Sequence, residues 1–552
     1  MKILKWIKEQ VYYQQINWEL LLFLILFLNV KLWVKVLSVI ITCILNRKTL
    51  FTVKFWQNKM LLFYMSIILI GILNILFQAD SLTFNYLAAA AVGILFWLLA
   101  AFASYQCFRI IEKSEPATVH ATLNLFFLLN VLVSFAMFGK IIIETGAINP
   151  YTYQGLYQKY FITTGDYIRG ISFDTSTTNA ILNAFAVVYF INRKKALFTL
   201  LCMAALLLTG SNLTNMLLTG VLGFVFIFQS GRDQKSLIGI CVACLIIFMV
   251  KISPQNNKYV QGSFKRILRK DSIMPPAPHA DIIAKADSLL STDERKQKFA
   301  KLYLDSMASL SLKKSLVVSG NKVEAIETTP VLPAPPAEKP SLPKDNIHSI
   351  PFQRKREETP LQKELIAYVK KDKKEDSIIS SNKDGNRIPG KVLALQQTYH
   401  FFQRHPLKLL TGNGMGNFSS KLAFRTTGLN IAGGYPLKYV YINREFRENH
   451  LAIFLYYFSK DAQLHSIINM PNSVYDQLLS EYGIAGLLVF FIFYIGYYAR
   501  KRKLLTYGIP VLLVMLGAFL VEYWFEQLSV LVVFELLLLL NIKENKRGLH
   551  GE

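Results

Sequence analysis

Twelve apolar runs of about 15–25 residues dominate this chain and restrict the folds that it can adopt. A helix needs roughly 20 apolar residues to cross the hydrocarbon core of a bilayer. Of the 552 residues, 53% are hydrophobic and the mean hydropathy is +0.33, which is too apolar for a soluble protein. The sequence therefore predicts an all-α integral membrane protein with about 12 transmembrane helices. The runs are 17–29, 33–45, 60–77, 85–104, 118–138, 178–192, 196–210, 213–229, 236–252, 476–498, 504–522 and 527–541.

The first two runs are short, and Lys31 and Lys35 lie close to their junction. They are compatible with two separate helices or with one bent hairpin. No small-residue cleavage site follows the first run, so no removable signal peptide is expected.

Basic residues predict the side of the membrane on which each connecting segment lies. If both termini are cytoplasmic, the short inner segments contain 21 Lys and Arg residues and the short outer segments contain five. This asymmetry agrees with the positive-inside rule. An even number of spans then predicts that residues 253–471 lie on the outer side.

Composition divides the chain into six parts. Residues 1–252 are expected to form a membrane bundle with spans 1–9, and residues 476–541 to form spans 10–12. Between spans 9 and 10 lies one large outer loop, which is expected to be partly helical. The remaining parts are a juxtamembrane and helical segment (253–319), a Pro-rich and charged insertion expected to be disordered (320–386), a basic segment expected to bind substrate (387–475) and a cytoplasmic tail (542–552).

Charge separates the insertion from the segment that follows it. Residues 271–386 contain 19 basic and 17 acidic residues, whereas residues 387–471 contain 10 basic and three acidic residues. The surplus of cations in the second segment suits an anionic partner. The net charge of +25 does not indicate nucleic acid, because much of it follows from topology and no nucleic-acid fold pattern occurs.

The five cysteines exclude a disulfide-stapled outer domain, because all of them lie in or beside apolar runs. Cys241 and Cys244 form a CxxC pair inside an apolar run, without a further Cys or His nearby. No metal site and no cofactor are expected.

Three alternating glycines, Gly412, Gly414 and Gly416, lie in the basic segment. Glycine allows backbone N–H groups to approach a ligand closely, and a following helix N-terminus favours anions. No strand precedes the glycines and their spacing is GxGxG, so the pattern is not a Rossmann fingerprint. Contact with an anion or sugar and a plain turn are equally compatible with it.

Several charged or titratable residues are candidates for chemistry at the outer face. Arg169 and Arg387 lie next to helical segments there, and arginine forms bidentate pairs with phosphate. Glu481 lies near the outer end of a run, where a carboxylate is either paired structurally or catalytic. His450 and His465 are candidate general bases. Asp476 follows Asn472 by one helical turn, and Glu535 is expected to pair with another helix.

These residues resemble the O-antigen ligase and polymerase family of bacterial envelope glycosyltransferases. That family has ten or more spans, a large periplasmic loop near the C-terminal end, an Arg before G-x-G-x-G-x-F, and a His-Asn before a helix reading L-x-E-x-G-x-x-G-L. The corresponding residues here are Arg387, Gly412, Gly414, Gly416, Phe418, Asn472, Leu479, Glu481, Gly483 and Gly486, with Arg169, Gly170 and Phe173 resembling an earlier periplasmic pattern. The motif match covers about 100 residues, and the insertion at 271–386 has no counterpart.

The resemblance implies a multi-pass protein of the bacterial cytoplasmic (inner) membrane whose active site faces the periplasm. It implies transfer of an undecaprenyl-diphosphate-linked oligosaccharide to an acceptor glycan or to lipid A core. Membrane lipid, a chain-length regulator and a flippase are the further expected partners. The expected catalytic residues are Arg169, Arg387, His465 and Glu481, and the expected substrate-binding residues are Gly412, Gly414, Gly416, Asn417, Arg425, Asn472 and Lys391.

One position departs from the family pattern. Pro471 stands where the family has the histidine that ligases are thought to use on the acceptor hydroxyl. This departure favours a polymerase over a ligase, with His465 as the substitute base. No DxD cluster occurs on the outer side, so a metal-independent reaction is expected.

Two other classes fit parts of the sequence. A flippase or transporter of lipid-linked oligosaccharide also has about twelve spans, although transporters usually contain internal repeats and polar groups near mid-membrane. A non-catalytic assembly scaffold is suggested only by the Pro-rich insertion.

Overall fold

A computed structural model describes residues 16–45, 59–77, 83–152, 165–253, 389–428, 433–451, 453, 467 and 470–550. These residues form helices and connecting loops, and no strand occurs among them. The predicted helical segment at 280–317 and the predicted disordered insertion at 320–386 lie outside the described residues. The all-helical class that the apolar runs predicted is therefore confirmed for the described part of the chain.

Each of the twelve apolar runs coincides with a helix. The helices are α1 (Trp18–Phe27), α2 (Leu32–Leu45), α3 (Leu61–Phe77), α4 (Phe84–Lys113), α5 (Pro116–Thr145), α6 (Ser176–Asn192), α7 (Ala196–Leu208), α8 (Asn212–Phe228), α9 (Arg232–Ile252), α10 (Gly390–Arg404), α11 (Lys408–Thr411), α12 (Lys421–Thr426), α13 (Arg444–Phe446), α14 (Val474–Arg500), α15 (Gly508–Ala518), α16 (Trp524–Gln527) and α17 (Leu531–His550).

Four of these helices, α4, α5, α9 and α14, are long and apolar enough to cross a membrane. The other helices on apolar runs are shorter, and six of them are apolar over 10–17 residues. The chain therefore has the character of a membrane protein.

Several helices extend beyond the apolar runs, because charged residues do not end a helix that keeps its backbone hydrogen bonds. Helix α17 continues to His550, so most of the segment at 542–552 that was predicted as a tail is helical. Helix α14 begins at Val474, two residues before the predicted start of span 10. Helix α4 extends to Lys113, into a segment that was predicted as a connection.

The first two short runs form two helices that are joined by residues 28–31 and packed against each other as a hairpin. Lys35, which was counted as an outer-side residue, lies inside α2 and is buried. Its Nζ donates to the carbonyl oxygen of Phe27 at 2.8 Å and to Oγ of Ser529 at 2.9 Å. These contacts tie the first two helices to the segment just before α17.

Helix α17 lies in the core of the protein. Every residue from 531 to 542 is buried, including Glu535. The carboxylate of Glu535 accepts hydrogen bonds from the hydroxyl groups of Tyr64 at 2.5 Å, Tyr494 at 2.8 Å and Ser104. A buried carboxyl group needs such partners, so the prediction that Glu535 pairs between helices is confirmed.

Apart from the contacts of Glu535, two groups of polar contacts between helices bear on the predicted topology. One group includes the ion pairs Arg109–Glu19 and Arg193–Glu544, at 2.5 and 3.1 Å, between helix ends that were predicted to face the cytoplasm. The other group surrounds Lys35 and the segment from 411 to 442, where the sequence predicted the outer side. Each group thus joins segments that were predicted to share a side of the membrane.

Candidate functional site

The glycine-rich segment folds against a break in α14. Gly483 has φ 68° and ψ −168°, so the helix is interrupted about two and a half turns after it begins at Val474. The backbone N–H of Asn413 donates to the carbonyl oxygen of Ser480 at 2.8 Å, and that of Gly414 donates to the carbonyl oxygen of Glu481 at 3.0 Å. The loop thereby satisfies carbonyl groups that the break leaves without helical partners.

Glycine is required on both sides of this contact. Gly412 has φ 81°, and a Cβ there would lie within 2.5 Å of the backbone nitrogen of Tyr482. At Gly483, a Cβ would lie within 2.6 Å of the backbone nitrogen of Thr411 and closer still to the carbonyl oxygen of Leu410. Two motifs that are separate in sequence therefore pack backbone against backbone, and each supplies a glycine where a side chain would collide.

The side chain of Glu481 binds the backbone of the loop after Gly414. It is fully buried, and its Oε2 and Oε1 accept from the backbone N–H groups of Gly416 at 3.0 Å and Phe418 at 3.1 Å. Asn417 is also buried and bonded within the loop, to Asn413 and to Tyr441. Since both oxygens of Glu481 are occupied, this geometry favours the structural alternative over a general base.

We expect Glu481→Ala to destabilise the protein by about 1–3 kcal/mol for each of the two buried N–H groups that it leaves unpaired. Glu481→Gln should cost less, because its amide retains one acceptor oxygen. Thermal unfolding of the purified, detergent-solubilised protein measures both. Glu448→Gln is the control, since Glu448 forms only an exposed ion pair with Arg444. An unchanged melting temperature in Glu481→Gln, together with loss of activity, would support a catalytic role instead.

Helix α12 follows the glycines and carries two cations on successive turns. Lys421 is half-buried, and its Nζ donates to Oε1 of Gln527 at 3.2 Å. Arg425 is half-buried, and its Nε donates to the carbonyl oxygen of Gly434 at 3.1 Å. The loop thus brings the predicted Arg425 and the unpredicted Lys421 to one face of the same short helix.

Behind these cations lies a buried polar network that connects them to the bundle. Glu526 accepts from the backbone N–H of Leu422 at 2.7 Å and from Nε2 of Gln477 at 2.6 Å. Gln527 donates to Oδ2 of Asp174 at 2.7 Å, and Ser529 donates to the same oxygen at 3.2 Å. These residues were not predicted from the sequence. The adjacent Glu526 and Gln527 at the junction of two apolar runs are a signal that could have identified them, because ionisable residues beside membrane spans are usually functional.

Arg169 lies just before the segment that carries Asp174. Its side chain is half-exposed, and its Nε lies 3.5 Å from the carbonyl oxygen of Asp166. The segment that follows it reaches the network through Asp174. Arg387 and His465, the other two predicted catalytic residues, lie outside the described residues.

Lys391 and Asn472, both predicted to bind substrate, are brought together. The ammonium group of Lys391 donates to the carbonyl oxygens of Asn472 and, at 3.3 Å, of Val521. Burial lowers the pKa of Lys391 to about 7, which the charges of Glu522 and Asp476 partly oppose. Nδ2 of Asn472 donates to Oε1 of Glu522 at 2.9 Å. Three segments, α10, the start of α14 and the loop before α16, therefore meet at this cluster.

His450 lies beneath the loop and is fully buried. Its ring packs edge-on against Phe418, with 4.7 Å between ring centroids, and its Nε2 lies 3.4 Å from Oδ2 of Asp476. Oδ1 of Asp476 accepts from Thr398 at 2.6 Å. Burial lowers the pKa of His450 from 6.5 to about 3, so the ring is neutral at physiological pH.

We expect this histidine to make the protein sensitive to acid. Between pH 6.5 and about pH 3 the unfolded chain binds a proton at His450 that the folded protein excludes, so the free energy of unfolding falls as the pH falls through this range. His450→Phe removes the titration and should flatten the acid side of the melting temperature against pH. His400→Gln, on the exposed face of α10, is the control. Parallel curves for the wild type and His450→Phe would contradict the prediction.

Comparisons with family models, curated proteins and solved structures give no match to this chain.

Proposed function

We propose that this chain is a membrane glycosyltransferase that transfers a glycan from undecaprenyl diphosphate to an acceptor sugar hydroxyl at the periplasmic face of the bacterial inner membrane. Polymerisation of O-antigen or exopolysaccharide is the favoured reaction, and ligation to lipid A core is the second. This proposal rests on the sequence motifs and on the way in which the described residues assemble around them.

The observation that carries the proposal is the contact between the two motifs. The G-x-G-x-G-x-F loop fills the break in α14, and Glu481 of the second motif binds the backbone of the first. Both motifs therefore belong to one rigid unit, at the level where an apolar helix enters the bundle. A polar segment fixed at that level suits a substrate with a lipid tail in the bilayer and a glycan outside it.

The charges around this unit suit a diphosphate leaving group. Lys421 and Arg425 follow the loop on one helix face, and Lys391 lies at the start of α10. The departing diphosphate gains negative charge in the transition state, so pre-organised cations lower the barrier more than they stabilise bound substrate. The predicted roles of Arg169 and Arg387 in binding this group, and the metal independence of the reaction, remain predictions from the sequence.

The arrangement of polar contacts supports the proposed alternation of segments between the two sides of the membrane. Contacts join segments that share a predicted side, as an alternating multi-pass chain requires. Twelve spans with the loop at 253–471 in the periplasm are therefore part of the proposal, and a chain-length regulator or a flippase is the expected protein partner.

A transporter of lipid-linked oligosaccharide is the second candidate, and the break in α14 favours it, because broken helices bind substrate in many transporters. Here the carbonyl groups of Ser480 and Glu481 at the break already accept from the loop. The break is thus filled by protein, which favours the enzyme.

Two measurements test the proposal. Purified protein is incubated with undecaprenyl-diphosphate-linked glycan extracted from a deletion strain, and release of undecaprenyl diphosphate together with longer glycan supports the enzyme. Movement of intact donor across vesicle membranes without bond cleavage would favour the transporter. In the deletion strain, single repeats that remain attached to the envelope indicate a polymerase, and complete loss of attached glycan indicates a ligase.

A further inference from the structure

A carboxylate beside the position of the missing histidine provides the strongest unassigned chemistry in the described residues. Pro471 cannot take a proton, and the residue after it, Asn472, binds Glu522. Glu522 lies in the loop between α15 and α16, so the packing of these two helices brings it to this position. In sequence it is 50 residues away from Asn472.

Glu522 is held in place by several contacts. Its Oε1 accepts from Nδ2 of Asn472 at 2.9 Å and from the backbone N–H of Tyr523 at 3.0 Å. The backbone N–H of Val474 donates to the carbonyl oxygen of Phe519 at 2.8 Å, which ties the two segments together. Lys391 also links the two segments, because its ammonium group donates to the carbonyl oxygens of Asn472 and Val521.

Exposure distinguishes Glu522 from three buried carboxylates around the loop. Glu481, Asp476 and Glu526 are exposed by 0%, 1% and 5%, and each has at least one oxygen bonded inside the protein. Glu522 is partly exposed, whereas those three are closed off from solvent. A general base must come within hydrogen-bond distance of the proton that it removes, and only an accessible carboxylate meets this condition.

We propose that Glu522 is the general base of the transfer reaction, oriented by Asn472, and that it takes over the task of the histidine absent at position 471. This inference rests on the proposed function and adds a residue to it. The carboxylate accepts the proton of the acceptor hydroxyl while that oxygen forms a bond to the anomeric carbon of the donor sugar. The bond from the anomeric carbon to the diphosphate oxygen breaks, and its electron pair leaves with undecaprenyl diphosphate.

The test uses the full-length protein in lipid nanodiscs with donor extracted from the deletion strain. Glu522→Gln should lower kcat for glycan transfer by about 10²–10⁴-fold, the range for loss of a general base, with little change in donor KM. Glu448→Gln is the matched control, because Glu448 is a half-buried outer carboxylate bonded to Arg444 at 2.8 Å. Asn472→Ala should lower kcat less than Glu522→Gln does.

Azide distinguishes a catalytic role of Glu522 from a purely structural one. Azide attacks the anomeric carbon without losing a proton, so Glu522→Ala should release undecaprenyl diphosphate and form a glycosyl azide although it no longer extends glycan. Glu522→Gln activity within about threefold of wild type overturns the inference, as does a Glu522→Ala variant that azide does not restore. If the wild-type protein itself cleaves no donor, the proposed function is wrong. If the wild type and Glu522→Gln are both active, only the role of Glu522 as general base is wrong.

Discussion

Gly483→Ala is expected to prevent the glycine-rich loop and α14 from reaching their folded arrangement. The substitution requires φ near 68° from a residue with a Cβ, which costs about 1–3 kcal/mol. That Cβ also collides with the backbone of Leu410 and Thr411, which cannot move because the loop is bonded to α14 at several points. We expect a loss of more than about 4 kcal/mol, which is exceptional for one substitution. Size-exclusion chromatography of the detergent-solubilised protein after heating measures it.

Gly220→Ala is the matched control. Gly220 lies in α8, and a Cβ there would have no atom within 4 Å. Alanine is favoured over glycine in a helix by about 1 kcal/mol, so this variant should be neutral or slightly more stable. Equal melting temperatures for the two alanine variants would show that the loop does not pack into the break.

The second large effect is expected at the arginines that the sequence predicted. Arg387→Ala should lower transfer by about 10²–10³-fold, the usual cost of losing one pre-organised donor to a developing negative charge. Arg169→Ala should act similarly. Arg→Lys at either position should restore little, because lysine lacks the bidentate fork that matches a phosphate. The measurement is release of undecaprenyl diphosphate by variants purified at equal yield.

Arg356→Ala, within the insertion, serves as the control and should retain normal activity. If the variants at 169, 356 and 387 lose equal activity, the arginines do not bind the leaving group. Loss of activity with EDTA would argue for a metal ion in place of the arginines.

The positions of the helices were easier to predict from the sequence than the contacts between distant segments. Apolar runs place helices because burial in lipid or protein depends on local composition, and each of the twelve runs is helical. The contact between Gly416 and Glu481 spans 65 residues, and nothing local in either motif specifies the other. The sequence therefore left open whether Glu481 was structural or catalytic, and whether the glycines formed a site or a turn.

Residues of the candidate site were missed for the same reason. Glu522 is an ordinary loop carboxylate until the chain brings it to Asn472, and Lys35 looked like a loop cation until α2 buried it against Ser529. Arg425 was found because it lies beside a motif, whereas Lys421, one turn earlier, has no feature in sequence that marks it. Sequence position identifies residues near a motif, but a site also contains residues from distant segments.

The central position of α17 has a consequence for biogenesis. This helix follows the other described helices in sequence, and all residues from 531 to 542 are buried against helices made before it. Until it inserts, Tyr64 and Ser104 lack Glu535, the carboxylate to which they donate in the folded protein. The earlier helices must therefore wait in the membrane in an incomplete arrangement, with polar groups that membrane insertases can shield and membrane proteases can detect. A chain that ends before Leu531 should be degraded rather than assembled.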